Sequence, residues 1–136
     1  MDFQALDKKF PFQSPDAVDT SVLETFPYEY VGREIEVEIV CDEFTAVCPY
    51  SGLPDFGTIT IRYVPDQVCV ELRSLKYYLL SYRNVGIFYE HLVNRLLIDL
   101  VQVMQPRRMT IEADYKVRGG MKTRASAVWT KPATIP

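Results

Sequence analysis

Residues 33–39 alternate without a break, setting Ile35, Val37 and Ile39 on one side of an extended chain and Glu34, Glu36 and Glu38 on the other. Such a period of two predicts a half-buried strand with a solvated back. Residues 58–64 alternate in the same way until Pro65-Asp66 ends the run, so two antiparallel strands are expected. From Glu71 the period changes, with Leu72, Leu75 and Leu79 at helical spacing to about residue 82. A second, longer helix is expected over 87–104, with Val93, Leu96, Leu97, Leu100, Val101 and Met104 as its apolar face and Pro106 as its stop. Residues 109–115 and 123–129 then read as a hairpin around Gly119-Gly120.

The order strand, strand, helix, helix, strand, strand predicts an α+β domain over 31–136, a four-stranded antiparallel sheet with two helices packed on one face. Residues 1–30, with prolines at 11, 15 and 27 and no sustained period, are expected to form an irregular arm wrapping the domain or a neighbour. A small open sheet has two unpaired edges, and association between copies is one way to cover them.

Composition adds little to this picture and removes several alternatives. The 136 residues suit one domain, and 48% hydrophobic with 24% charged residues is ordinary for a globular chain. No apolar run is long enough to span a bilayer, and the first residues lack the basic and apolar regions of a signal peptide, so a cytoplasmic location is expected. Cys41, Cys48 and Cys69 form no C-x-x-C pair, and His91 is the sole histidine, so no metal site is expected within one chain. The net charge of −3 hides an asymmetry: residues 107–136 hold seven basic and two acidic side chains. That stretch is either a solvated basic hairpin or a landing surface for a phosphorylated ligand.

The candidate chemistry lies between the first two strands, where Cys48 and Asp55 bracket the turn Pro49-Tyr50-Ser51-Gly52-Leu53-Pro54. A thiol that attacks an unsaturated carbon needs a neighbouring group to handle protons, and a carboxylate at the other end of a constrained turn meets that need. An arbitrary cysteine is more often a small buried hydrophobe, the reading that suits Cys41 and Cys69.

Three spaced blocks give this pair a context. The first runs from Phe44-Thr45-Ala46-Val47-Cys48-Pro49 to Gly52-Leu53-Pro54-Asp55-Phe56. The second is Glu71-Leu72-Arg73-Ser74-Leu75-Lys76-Tyr77-Tyr78, and the third runs from Ser81-Tyr82-Arg83-Asn84 to Glu90, with Arg118-Gly119-Gly120 downstream. Together they resemble the QueF family of nitrile reductases over most of the chain. The resemblance implies a tunnelling fold (T-fold), assembled as two stacked pentamers with active sites at subunit junctions. It implies reduction of the nitrile of 7-cyano-7-deazaguanine (preQ0) to the aminomethyl group of preQ1, a step towards queuosine in tRNA, at the cost of two NADPH.

By the same resemblance, Cys48 is the nucleophile that forms a covalent thioimide and Asp55 delivers protons to the nitrogen. Glu90 accepts hydrogen bonds from the purine-like base, whose donor edge suits a carboxylate; a solvated glutamate in a first helical turn is the plain alternative. Val70, Glu71 and Leu72 line the substrate pocket beside Tyr89. Leu72, Arg73, Ser74, Lys76, Arg118, Gly119 and Gly120 face NADPH, with a mere helix-surface place as the alternative for Lys76. Two positions depart from the family pattern. Arg73 stands for a lysine, and Tyr89 stands for a histidine, giving an aromatic face and a hydroxyl but no imidazole proton relay. Other readings are a QueF-like amidinotransferase adding ammonia to the same nitrile on tRNA, a T-fold enzyme acting on pterins, and a non-catalytic preQ0-binding module. The acidic net charge disfavours a direct grip on nucleic acid.

Overall fold

The register of one antiparallel sheet decides where the predicted strands begin and end. A computed structural model describes residues 8–133 of the chain. Its elements are β1 (Thr25–Pro27), β2 (Val37–Val47), β3 (Pro54–Val64), β4 (Val68–Val70), α1 (Leu72–Leu80), α2 (Tyr89–Met104), β5 (Arg108–Tyr115) and β6 (Arg124–Thr130). The main sheet has the order β2-β3-β5-β6, antiparallel throughout. β1 and β4 form a separate two-stranded pair.

The first predicted strand starts later than its alternation suggests and runs further. Val37 pairs with Tyr63, so continuing the ladder backwards would set Ile35 opposite Pro65, which has no N–H to give. Ile35 is left exposed, while Glu34 and Glu36 turn to Arg107 and Arg108 at 3.6 and 3.2 Å. At its other end β2 continues through a bulge between Cys41 and Phe44 to Val47, which delivers Cys48 to the edge of the loop.

Ile59, Ile61, Tyr63, Met109, Ile111, Ala113 and Tyr115 alternate inwards and form the floor of the core. α2 lies across them with Leu92, Val93, Leu96, Leu97, Leu100 and Met104 buried, a stripe at spacings of three and four. α1 adds Leu75, Tyr78 and Leu79. Gln105 takes a left-handed conformation (φ 45°) and its N–H caps Val101, ending α2 one residue before Pro106. Within the core, the Asp99 carboxylate accepts the Tyr78 hydroxyl at 2.6 Å and Arg95 Nε at 2.8 Å. Burial and the neighbouring Tyr82 and Asp99 push Tyr78 far above the usual phenol range, so it stays a neutral donor.

The stretch expected to be an irregular arm is described from residue 8 onwards, and its first seven residues lie outside those described. Pro15–Ala17 form a 3-10 turn, Val18 and Leu23 enter the core, and β1 adds to β4. Glu71 N–H bonds Glu24 C=O at 2.9 Å, and the Ser74 hydroxyl accepts Glu24 N–H at 3.0 Å, so the arm is stapled to the start of α1. No helix among the described residues is long and apolar enough to cross a membrane.

Leu96 is fully buried at the centre of this arrangement. Leu96→Ala is expected to cost about 2–5 kcal/mol, as cavity-forming core substitutions do. Urea denaturation measures it, and a loss below about 1 kcal/mol would show that α2 packs loosely on the sheet.

Candidate active site

The turn between β2 and β3 is tied at both ends. Cys48 N–H bonds Leu53 C=O and Gly52 N–H bonds Cys48 C=O, both at 2.9 Å, and Leu53 N–H bonds the Ser51 hydroxyl at 3.2 Å. The chain therefore doubles back within six residues, and Cys48 sits half-buried beside the start of β3. Partial burial pushes the Cys48 thiol up, but other groups outweigh it. The N–H and hydroxyl of Ser51, the N–H of Tyr50 and the charge of Arg118 together hold the thiol below the ordinary cysteine range.

Asp55 is the second residue of β3 and is 5% exposed. A carboxylate so deep needs partners, and two elements distant in sequence supply them. Tyr89, the first residue of α2, donates its hydroxyl to Asp55 Oδ1 at 2.9 Å. Arg118, from the tip of the β5–β6 hairpin, donates a guanidinium N–H to the same oxygen. Burial first, then the Asp55 carboxylate, raises the Tyr89 phenol, while Tyr89 and Asp55 together hold Arg118 firmly cationic. The Tyr89 ring stacks on Tyr115 with centroids 3.7 Å apart at 21°. The Tyr115 hydroxyl is buried and has no hydrogen-bond partner among the described residues.

Asp55, Tyr89 and Arg118 line a cavity with Leu53, Pro54, Phe56, Lys116 and Val117. Glu90 follows Tyr89 in the first turn of α2, at its electropositive end. Gly119 and Gly120 form the left-handed hairpin tip next to Arg118. The other expected residues lie elsewhere. Leu72 and Lys76 border a second, mostly apolar cavity between α1 and β2, with Cys41 and Phe44 opposite. Glu71 caps α1, accepting Arg73 N–H at 2.9 Å and Ser74 N–H at 2.6 Å. Ser74 is buried in that cap, and Val70 is buried with its N–H on the Tyr63 hydroxyl at 3.3 Å. Within one chain the expected residues thus fall into two groups.

The basic C-terminal stretch is not the open landing surface that its charge suggests. Arg107, Arg108, Lys122, Arg124 and Lys131 all pair with glutamates or aspartates of the sheet and its borders. Strand pairing sets those acids beside the bases, which leaves Lys116 and Arg118 at the hairpin tip as the cations facing the Asp55 cavity. The part played by Tyr115 is not visible in the alternation of 109–115, where it reads as one more core position. Ser51 is equally hidden, because serine is common in any turn.

Comparison with known proteins identifies relatives over most of the chain. A model of the QueF-like protein family matches residues 54–134. The chain is 50% identical over 114 residues to the NADPH-dependent 7-cyano-7-deazaguanine reductase of Chlorobaculum tepidum, covering 84% of this chain and 97% of that one. It is 48% identical over 124 residues to the enzyme of the same name from Caldicellulosiruptor bescii, covering 91% and 95%. Among solved structures, an archaeosine synthase QueF-Like in its apo form superposes with a TM-score of 0.62 at 19% identity, over 74% of this chain and 96% of that one, a likeness of fold.

A depressed thiol pKa means that thiolate persists to lower pH, so the alkylation rate of Cys48 is expected to reach half its plateau below the midpoint of an ordinary cysteine. Arg118→Ala removes a positive charge and should move that midpoint upwards. Iodoacetamide labelling across pH, read by peptide mass, measures both; an Arg118→Ala profile superimposed on the parent would remove Arg118 from thiolate stabilisation.

Proposed function

This chain belongs to the QueF family, and we propose that it reduces the nitrile of 7-cyano-7-deazaguanine to an aminomethyl group with NADPH, using Cys48 as nucleophile and Asp55 as proton carrier. The observation that carries this reading is the pairing of a thiol held below its ordinary pKa with a buried carboxylate fixed by Tyr89 and Arg118. Relatives that match this chain over almost their whole length carry that activity in their names.

The proposed chemistry balances within the site. The Cys48 thiol gives its proton to Asp55, and the thiolate sulfur bonds the nitrile carbon. One π pair of the nitrile moves to nitrogen, which takes the proton back from Asp55. The net change is addition of S–H across C≡N to give a thioimide, with Asp55 returned as a carboxylate. Tyr89 acts as an orienter here: its phenol is neutral and bonded to Asp55, so it aims the carboxylate. It supplies the hydroxyl and aromatic face expected where the family has histidine. Glu90, one residue on, accepts hydrogen bonds from the base, and Val70, Glu71 and Leu72 shape the rest of the pocket.

Nitrile to amine takes up four electrons, and NADPH supplies them as two hydride equivalents. Its phosphates find suitable cations in Arg118 and Lys116 at one cavity and in Lys76 at the other, with Arg73 beside the α1 cap. Leu72, Ser74, Gly119 and Gly120 complete the proposed cofactor surface. The separation of these residues into two groups on one chain supports a site completed by a second copy, at junctions within two stacked pentamers. β2 and β6 stand at the open ends of the sheet and are available to pair between copies. The enzyme works in the cytoplasm on the free base, before any encounter with tRNA, on the path to queuosine.

The test is substrate-dependent NADPH oxidation by the purified protein. Two NADPH are expected per preQ0, with no oxidation by Cys48→Ala. Asp55→Asn is expected to bind preQ0 but turn over at least about 100-fold more slowly, the scale of a lost acid–base group. Tyr89→Phe should lose about tenfold. Absence of preQ0-dependent oxidation by the parent protein would refute the reading; near-normal turnover in Asp55→Asn would remove Asp55 from proton transfer.

A further inference from the structure

The chain ahead of the 3-10 turn at Pro15–Ala17 makes contacts of its own with the Cys48 turn. Phe10 N–H bonds Ser51 C=O at 2.9 Å, in the middle of the Cys48 turn. Three residues later Gln13 N–H bonds Asn84 C=O, and Gln13 C=O accepts Gly86 N–H, both at 2.8 Å. The 84–87 segment is held on its other side by the end of β2. Val47 N–H bonds Val85 C=O at 3.0 Å and Val47 C=O accepts Ile87 N–H at 3.2 Å. Three short chain segments therefore lie side by side: residue 13, residues 85–87 and residue 47, the last directly before Cys48. The middle one leads through Phe88 into Tyr89 and Glu90.

Side-chain packing shows that this contact is built into the turn. Gly52 is left-handed (φ 73°), and a Cβ there would collide with the Phe10 carbonyl. A Cβ on Gly86 would collide with the Phe12 ring and come within 3.1 Å of Pro49 Cα. Lys9 Nζ lies 4.0 Å above the Tyr50 ring. Residues 9–13 thus touch the turn at Tyr50, Ser51 and Gly52, and touch the entry to α2 at Asn84 and Gly86.

From this we propose that residues 9–13 are a positioning strap: they fix the Cys48 turn against the start of α2, and thereby set the placement of the nucleophile relative to Tyr89 and Glu90. The strap acts through Ser51. With its carbonyl tied outward to Phe10, the Ser51 N–H and hydroxyl remain turned towards the Cys48 side of the loop, where they join Arg118 in favouring thiolate. None of the strap residues is a catalytic residue. The proposal rests on Cys48 being the nucleophile but is read by a property that needs no substrate.

The experiment removes one hydrogen bond from the full-length chain. Phe10→Pro deletes the N–H that holds Ser51 and suits the extended conformation required ahead of Pro11. Iodoacetamide labelling of Cys48 across pH should show its midpoint shifted upwards and its rate at neutral pH reduced about three- to tenfold, the factor that one hydrogen bond is worth. The melting temperature controls for unfolding. Ser51→Ala should produce a similar shift, and the double variant should be little worse than either alone, because both act on one contact. If Phe10→Pro unfolds the protein, Phe12→Ala tests the same strap at its Gly86 end and should shift the profile in the same direction. A labelling profile unchanged in folded Phe10→Pro or Phe12→Ala, or strictly additive effects of Phe10→Pro and Ser51→Ala, would overturn the strap. Failure of preQ0 turnover in the parent protein would leave this measurement intact, so the two readings fail separately.

Discussion

A carboxylate sealed from water has to be met by donors, and Asp55 is met by groups from two elements far apart in the sequence. Tyr89 arrives with α2, which packs across the sheet, and Arg118 arrives with the β5–β6 hairpin, whose register is set by pairing along the whole of β5. The geometry around Asp55 is therefore a product of the fold as a whole. Tertiary packing brings α2 down on β5 and β6 through a continuous stripe of leucines, and only then does the Tyr89 hydroxyl reach β3.

The electrostatics around that carboxylate assign different parts to similar groups. Tyr89 and Tyr115 are stacked phenols, both raised by burial, yet only Tyr89 has a partner in Asp55. Arg118 serves two groups, lying against Asp55 and favouring ionisation of Cys48. The positive charge of Arg118 favours the thiolate of Cys48, while its guanidinium N–H holds the Asp55 carboxylate in place. Arg107, Arg108, Lys122, Arg124 and Lys131 are matched by acids of the sheet and its borders.

Much of this was legible in the sequence, for physical reasons that can be named. Residues 58–64 alternate because one face of β3 meets the core and the other meets water, and the leucines of α2 recur because the helix lies flat on the sheet. The blocks around Cys48, Asp55 and Arg118 carry the family resemblance. What escaped the sequence depends on contacts between distant segments. β1 and β4 are three residues each, too short to show a period, and pair across more than forty residues. The late start of β2 is fixed by Pro65 on its partner, which no pattern within 33–39 can reveal. The contacts of Phe10 and Gln13 run through backbone groups, which leave no trace in side-chain pattern. The ion pairs that neutralise Arg107, Arg108 and Lys131 likewise appear only once the strands are aligned.

The central claim is that the sulfur of Cys48 adds to the nitrile carbon of preQ0, with Asp55 carrying the proton. Intact-mass analysis of the protein mixed with preQ0 in the absence of NADPH tests this most directly. The account predicts a gain of one substrate mass per chain, located on Cys48 by peptide mapping and absent from Cys48→Ala. An adduct that persists in Cys48→Ala, or that maps to Cys41 or Cys69, would contradict it.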